Sequence, residues 1–443
     1  MSLQSSFPKV RPWWVLALLG AVSLTACGGS TKAAIPGLTD EPRSAAGEPI
    51  TIAAGEPIVI GVSEPLTGPD EDGGREDRDA VVTAVERWKS TNGDQIEGHD
   101  IVVRAEDDGC TEADIAVQAA ERLLRQPGLV GVIGPGCSAG AAAAIPIYAG
   151  AGIVAISGSS TSTALTEEQP EGGFFFRTAY RNDLEGLLIQ LALTEDGDPR
   201  LNRVLLVDDG ETYGEDLADT ATKLLEESGV PVVRESIERG AVDYSEIAGE
   251  ISNDNPDIVG FAGFNPEAAL FYEQLRDAGY EGPFGATDAA ASLENFVKTV
   301  GADKAEGVAF VGCALELPDD FVDDFAAIHD DEPAASAFVA QAADAATILL
   351  DAVAQVAQAE DDGSLVIDPD GLRDAVAGAH LADGLSGSVA FDSDGDRVPA
   401  PGDELEAVVA EAVAAQNGAI FPTLGLVPCV VENGRLVNSI PGE

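Results

Sequence analysis

The chain has 443 residues, 78 of them Asp or Glu and 24 Lys or Arg, for a formal charge of −54. A field of that sign repels nucleic acid and anionic lipid, which removes both as partners. The acids are scattered along the whole chain, so they read first as a solvated surface suited to high salt and second as a means of capturing cationic ligands.

Lys9 and Arg11 precede an apolar stretch from Trp13 to Ala26, and the stretch closes as Leu24-Thr25-Ala26-Cys27. A basic start, a short apolar core and small residues at the cut describe an export signal. The ending resembles a bacterial lipobox, which implies cleavage before Cys27, a lipid on its sulfur and an extracytoplasmic, lipid-anchored protein. The alternatives are a plain signal with a chance cysteine and a membrane helix; for the latter the run falls short of the roughly 20 residues a span needs. Losing the signal removes Lys9 and Arg11 and no acid, leaving 22 − 78 = −56. Residues 28–55, rich in Ala, Gly, Pro, Ser and Thr, read as a flexible tether. Within it Ala45–Ile50 recurs as Ala53–Ile58, and the second copy starts the first strand. The remaining 443 − 55 = 388 residues are too many for one ordinary core and predict two lobes.

From Pro57 onward apolar runs of strand length alternate with amphipathic segments. Strands are predicted at Ile58–Val62, Ile101–Arg104, Leu129–Ile133, Ile153–Ile156, Val204–Val207, Val232–Arg234, Ile258–Phe261, Phe284–Ala286 and Val308–Val311. Helices are predicted between them at Arg75–Thr91, Ala113–Arg125, Ala139–Ala149, Asp183–Leu193, Tyr213–Ser228, Tyr244–Ser252, Pro266–Ala278 and Ala291–Val300, with a long one at Ala334–Gln358. Repeated β-α units imply doubly wound parallel sheets with helices on both faces, an α/β architecture. Beyond Ser388 the pattern returns to short strands broken by Pro and Gly, with a helical stretch at Glu404–Gly418.

In such sheets ligands bind beyond the carboxyl ends of the strands. After Ile133 comes Gly134-Pro135-Gly136-Cys137-Ser138, with Ser138 placed as a helix N-cap whose neighbouring amides face the loop mouth. The helix dipole there suits a carboxylate. The next strand empties into Ser157-Gly158-Ser159-Ser160-Thr161-Ser162-Thr163, a second polar loop on the same edge. Taken alone, that loop reads equally well as an ordinary turn.

Ile60-Gly61-Val62 with Pro65–Pro69, Asp107–Cys110, Val132-Ile133-Gly134 with Cys137-Ser138, Phe176-Arg177-Thr178, Val207–Asp209 with Tyr213-Gly214, Pro266-Glu267, Ala305–Gly307 and Phe391–Asp396 occur in a telling order. In that order and spacing the chain resembles the leucine/isoleucine/valine-binding protein family, the type I periplasmic-binding-fold receptors of ABC importers. The resemblance covers most of residues 57–396. It implies two parallel-sheet lobes joined by three crossings, near Thr178–Arg181, near Gly312–Leu315 and within Asp396–Phe421. The lobes would be 56–179 with 313–396, and 180–312 with 397–443. It further implies that a ligand α-carboxylate meets Ser138 and Thr161, with backbone contacts from Ser160. The α-ammonium would meet Asp288, and Tyr213 would close over the ligand. Phe264 stands where the family often has an aromatic before Pro-Glu and lacks a hydroxyl, and Ala343 stands where a tyrosine is usual. These departures leave branched-chain, polar or aromatic amino acids, amides and urea all open. The resemblance implies no cofactor, a monomer and an ABC permease as partner.

The same resemblance pairs Cys110 with Cys137. Four cysteines outside the signal allow three connectivities, and this pairing leaves Cys313 for Cys429. A metal site is disfavoured by the lack of Cys-x-x-Cys spacing. Asp392–Asp396 departs from an EF-hand at Arg397 and Asp403 and reads as an acidic turn. His99, His329 and His380 read as surface residues, and no nucleophile elbow, His-Glu-x-x-His or P-loop is present. Two rival functions stay open: a sensory module handing occupancy to a receptor kinase, and an extracytoplasmic hydrolase.

Overall fold

A computed structural model of the chain describes residues 47–438, apart from 168, 171, 195–200, 202, 330–333, 406, 409 and 411–423. The export signal, Cys27 and most of the tether therefore lie outside the described residues, as does most of the helical stretch expected at 404–418.

Seven strands come first in the chain: β1 (Ile50–Ile52), β2 (Ile58–Glu64), β3 (Gln95–Ile96), β4 (His99–Asp107), β5 (Leu129–Ile133), β6 (Val154–Ser157) and β7 (Phe175–Arg177). The last six form one sheet in the order β3-β4-β2-β5-β6-β7, parallel except at the β3–β4 edge. Every residue of β2, β5 and β6 is buried, as unbroken Val/Ile runs require when helices cover both faces. One cover is the helix Val339–Val356, whose Leu349 and Val353 lie in the same core as Ile60 and Val132.

The second lobe uses β8 (Val204–Asp208), β9 (Val232–Ser236), β10 (Ile258–Ala262), β11 (Phe284–Ala286) and β12 (Ala309–Phe310). After β13 (Gln358–Ala359), β14 (Leu365–Ile367), β15 (His380–Gly384), β16 (Gly387–Phe391) and β17 (Arg397–Val398), the chain returns as β18 (Cys429–Glu432) and β19 (Arg435–Asn438). The sheet order is β19-β18-β12-β11-β10-β8-β9, parallel from β12 to β9 and antiparallel at the C-terminal hairpin. Its core is aromatic, with Phe261, Phe271, Tyr272, Phe284, Phe296 and Phe310 all buried together. The fold is α/β with two parallel-sheet lobes, as the alternating pattern predicted.

Between the lobes, Tyr180 and Leu184, Leu187, Leu188 and Leu191 of the helix Asn182–Thr194 pack on Ala390, Val398, Leu405, Leu424 and Leu426. The chain passes from one sheet to the other between β7 and that helix. It returns after β12, where the helix Asp319–Ala326 sends Phe321 and Phe325 into the first core.

Three expectations need correction. Residues 50–52 do not belong to a tether: Ile50 and Ile52 are buried and β1 pairs antiparallel with β14, Ile50 opposite Ile367. The segment 291–300 is not one amphipathic α-helix; a tight turn at Asp288–Ala290 leads to a wide π-type helix at Leu293–Lys298. His99 is buried, its ring nitrogens bridging the Glu56 and Gly363 carbonyls at 2.7 and 3.1 Å. His329 is half-buried against Asp79, and His380 is exposed.

Both cysteine pairs form. Cys110–Cys137 joins the loops after β4 and β5, with Cα atoms 4.9 Å apart. Cys313–Cys429 fastens the chain leaving β12 to β18, with Cα atoms 6.1 Å apart.

Candidate functional site

Parallel strands deliver their loops to one edge of each sheet, and the two edges face a shared cavity of about 150 Å³. Its wall takes Ser138, Tyr213, Phe264 and Asp288 from the predicted set. Ser160 and Thr161 are not among the lining residues; their neighbour Ser159 is.

The first-lobe corner is held from behind. Ser138 opens the helix Ser138–Gly150 as its first residue, and Cys137, with extended backbone, is the N-cap. Ser138 Oγ accepts the Ser162 N–H at 3.2 Å, so its own hydroxyl proton can be directed elsewhere. The Gly136 amide is already spent on the Asp108 carboxylate at 3.0 Å, which also takes the Cys110 amide and the Ser63 hydroxyl. Burial pushes Asp108 up to about 6. Ser160 turns its hydroxyl to the Pro135 carbonyl at 2.8 Å, and the Thr161 carbonyl accepts the Asn182 amide at 2.9 Å. Behind this loop Arg177, fully buried, donates to the Ser160 and Ser162 carbonyls and is paired with Asp396 at 2.6 Å. Arg177 therefore positions the polar loop. Asp396 closes the Asp392–Asp396 turn, in which Asp392 takes the Asp394 and Asp396 amides.

The second-lobe wall centres on Asp288, which follows β11 and is 4% exposed. Its carboxylate accepts the Tyr180 hydroxyl at 2.6 Å, the Tyr213 hydroxyl and the Ala289 amide at 2.6 Å. Tyr213 reaches it because the helix Thr212–Glu227 sits close to β10: a Cβ on Gly214 would lie 2.6 Å from the Ala262 carbonyl. The Asp288 amide donates to Glu185 Oε1 at 3.3 Å, and Glu185 Oε2 is buried with no hydrogen-bond partner among the described residues. Burial, then the Asp288 charge, raises the Glu185 carboxyl well above its usual range; burial likewise raises Asp288 against the pull of its tyrosines. Among the described residues neither acid has a basic partner, a pairing of buried carboxyls that suits a cation chemically.

Phe264 packs its ring 5.2 Å from Tyr213 and carries the Arg239 guanidinium 4.3 Å above its face. Arg239 also pairs with Asp70 at 2.5 Å, joining the loop after β9 to the loop before the helix Glu71–Asn92 across the cleft. A second bridge runs from Thr163 to Asp216, at 2.6 Å between side chains. Ala343 sits in the first-lobe core and does not line the cavity.

The sequence reading missed Tyr180, Glu185 and Arg239 around the site, and the acids that line the cavity besides Asp288, namely Glu64, Asp70, Asp72, Glu76 and Asp77. The rule about strand ends would have found Glu64, the last residue of β2. Nothing in the local pattern marks Glu185, which sits in the first turn of a helix where acids are ordinary.

The chain is similar to several known proteins. An amino acid binding protein of Pseudomonas aeruginosa is 32% identical over 219 residues, 48% of this chain and 56% of its own length. A leucine-, isoleucine-, valine-, threonine- and alanine-binding protein of the same organism is 26% identical over 339 residues, 75% of this chain and 84% of that one. The chain thus spans little more than half of the first relative and most of the second. A leucine binding protein of Thermotoga maritima superposes with a TM-score of 0.68 at 22% identity, over 86% of this chain and 97% of that one, which establishes the shared fold. Residues 57–415 match the model of the periplasmic binding proteins, and the chain belongs to that family.

Proposed function

We propose that this protein is an extracytoplasmic solute-binding protein that captures a small zwitterionic ligand, an amino acid or close analogue, and hands it unaltered to an ABC importer. The observation that carries this reading is Asp288, a carboxylate buried in the wall of the cavity shared by the two sheet edges and clamped by Tyr180 and Tyr213. An ammonium group would supply the missing positive charge, while Ser138 and the polar loops of the other lobe face the opposite end. The names of the relatives from Pseudomonas aeruginosa support an amino-acid ligand. Closure over the ligand would present one joined surface to a permease. Thr161 and Ser160 would serve by shaping the loop, and the lobes would divide at 179/180, 312/313 and 396/397.

The protein turns over nothing on this reading, acts as a monomer and is tethered to the outer face of the membrane through a lipid on Cys27. Replacing Cys27 with Ser would then release it from the membrane fraction. Ligand identity is tested by a thermal-shift screen of amino acids, amides and urea at high salt, where the charge of −54 is screened. A true ligand at about 100 times its dissociation constant adds about 2.7 kcal/mol of stability. Product formed from amides or amino-acid esters would contradict the reading.

A further inference from the structure

The acids lining the cavity are more numerous than one ammonium group requires. Glu64 ends β2 and is 1% exposed; its Oε1 is buried and without a hydrogen-bond partner among the described residues. Asp77, on the helix Glu71–Asn92, is 4% exposed and lines the same cavity, where among the described residues it accepts the Ser336 hydroxyl at 2.9 Å. Asp108 stands behind them, and Glu76 beside them is occupied by the Ala335 and Ser336 amides. Glycine at 136 leaves the room: a Cβ there would lie 2.0 Å from Glu64 Oε2. No Lys or Arg is among the lining residues, and Arg239 at the rim is committed to Asp70 and Phe264.

We propose that the ligand carries two cationic groups, and that Glu64 and Asp77 of the first lobe receive the second while Asp288 of the other lobe receives the first. The ligand class is an α-amino acid whose side chain ends in an ammonium or guanidinium. This rests on the reading of Asp288 as the ammonium receptor and adds the side-chain end of the same site.

The physical case is one of unmatched charge. A buried carboxylate is retained only when paired or hydrogen-bonded, because burial disfavours its charged form. Burial followed by the charges of Asp77 and Asp108 raises Glu64 well above the carboxylate range, and burial pushes Asp77 up to about 8. An aliphatic side chain placed here would leave the Glu64 oxygen unsatisfied, and the penalty would recur with each ligand bound. A terminal ammonium satisfies it, and its methylene stem has Pro65 and Phe338 as apolar wall.

The test is calorimetry of the full chain with L-lysine, Nε-acetyl-L-lysine and L-leucine. The acetylated probe keeps the stem and the α-groups but loses the second charge. Lysine is expected to bind about tenfold or more tightly than either neutral probe. In Glu64→Gln and, separately, Asp77→Asn, the lysine advantage over acetyl-lysine should shrink to within about threefold. Melting curves confirm that each variant is folded, and having two variants on different elements guards against one failing to fold. Equal or tighter binding of leucine by the wild-type protein overturns the second-cation site and leaves the Asp288 reading standing. Failure of all three probes to bind overturns both.

Discussion

Asp288 and Glu185 meet backbone to side chain: the Asp288 amide donates to Glu185 Oε1 at 3.3 Å, while the Asp288 carboxylate is held by two tyrosines. Two carboxyl groups are thus brought together in a buried wall, a costly arrangement unless a cation joins them. On the proposed function the ligand-free protein would bear that cost and a bound ammonium would relieve it.

Glu185→Gln should therefore move two quantities in opposite directions. Melting of the ligand-free protein should occur at higher temperature, since a buried acid that folding strips of water beside a second acid is gone. Affinity for an amino-acid ligand should fall about tenfold, or about 1.4 kcal/mol, because the buried pair behind the ammonium then has one acid fewer able to ionise when the cation arrives. Paired melting and calorimetric measurements on one preparation check both signs.

The pH dependence of stability should run opposite to that of most acidic proteins. Burial raises Asp108 and Asp209 to about 6 and Asp77 to about 8 in the folded chain. The folded state then holds more protons than the unfolded one, and stability falls as pH rises. This contribution is complete below the unfolded carboxylate value of about 3.9 and is lost as pH rises through about 8. Melting temperatures of the ligand-free protein should decline from about pH 5 to about pH 8 at fixed salt, and Asp77→Asn should flatten the upper part of the slope.

Asp70 and Arg239 pair across the cleft, 2.5 Å apart and each largely shielded from solvent, and would act as a latch on the closure proposed above. Opening of the lobes would break the pair. Asp70→Asn should speed ligand release about threefold to tenfold, on the order of 1 kcal/mol, with little change in association rate. Stopped-flow dissociation resolves this, and the variant should also lose part of the salt dependence of the release rate.

The two disulfides should separate by function. The Cys313–Cys429 bridge spans 116 residues and Cys110–Cys137 spans 27; loop-closure entropy assigns them about 4.8 and about 3.5 kcal/mol. Replacing Cys313 and Cys429 with Ser should cost more stability in denaturant titrations. Replacing Cys110 and Cys137 should cost more ligand affinity, because that bridge fastens two loops at the cavity edge, one of which carries Ser138.

Much of this architecture is visible in the sequence because parallel strands buried on both faces are written as local runs. Leu129-Val130-Gly131-Val132-Ile133 needs no partner to be recognised, and the strand-end rule then points to Ser138 and the polar loop 157–163, whereas Tyr213, Phe264 and Asp288 came only with the family resemblance. Contacts made over long separations leave no such trace. Ile50–Ile52 is a strand only because Leu365–Ile367 is there to pair with it, more than 300 residues later by the register Ile50 opposite Ile367. His99 looks exposed among polar neighbours, yet two distant carbonyls bury it. Glu185 and Glu64 become unusual only once folding has removed their water and brought other acids beside them.

The most direct measurement is calorimetric titration of the wild-type protein and Asp288→Asn with whichever amino acid the thermal-shift screen selects. The wild type should bind one ligand per chain, and the variant should lose about 2–5 kcal/mol of affinity while still melting cooperatively. Undiminished binding by folded Asp288→Asn would contradict the account at its centre.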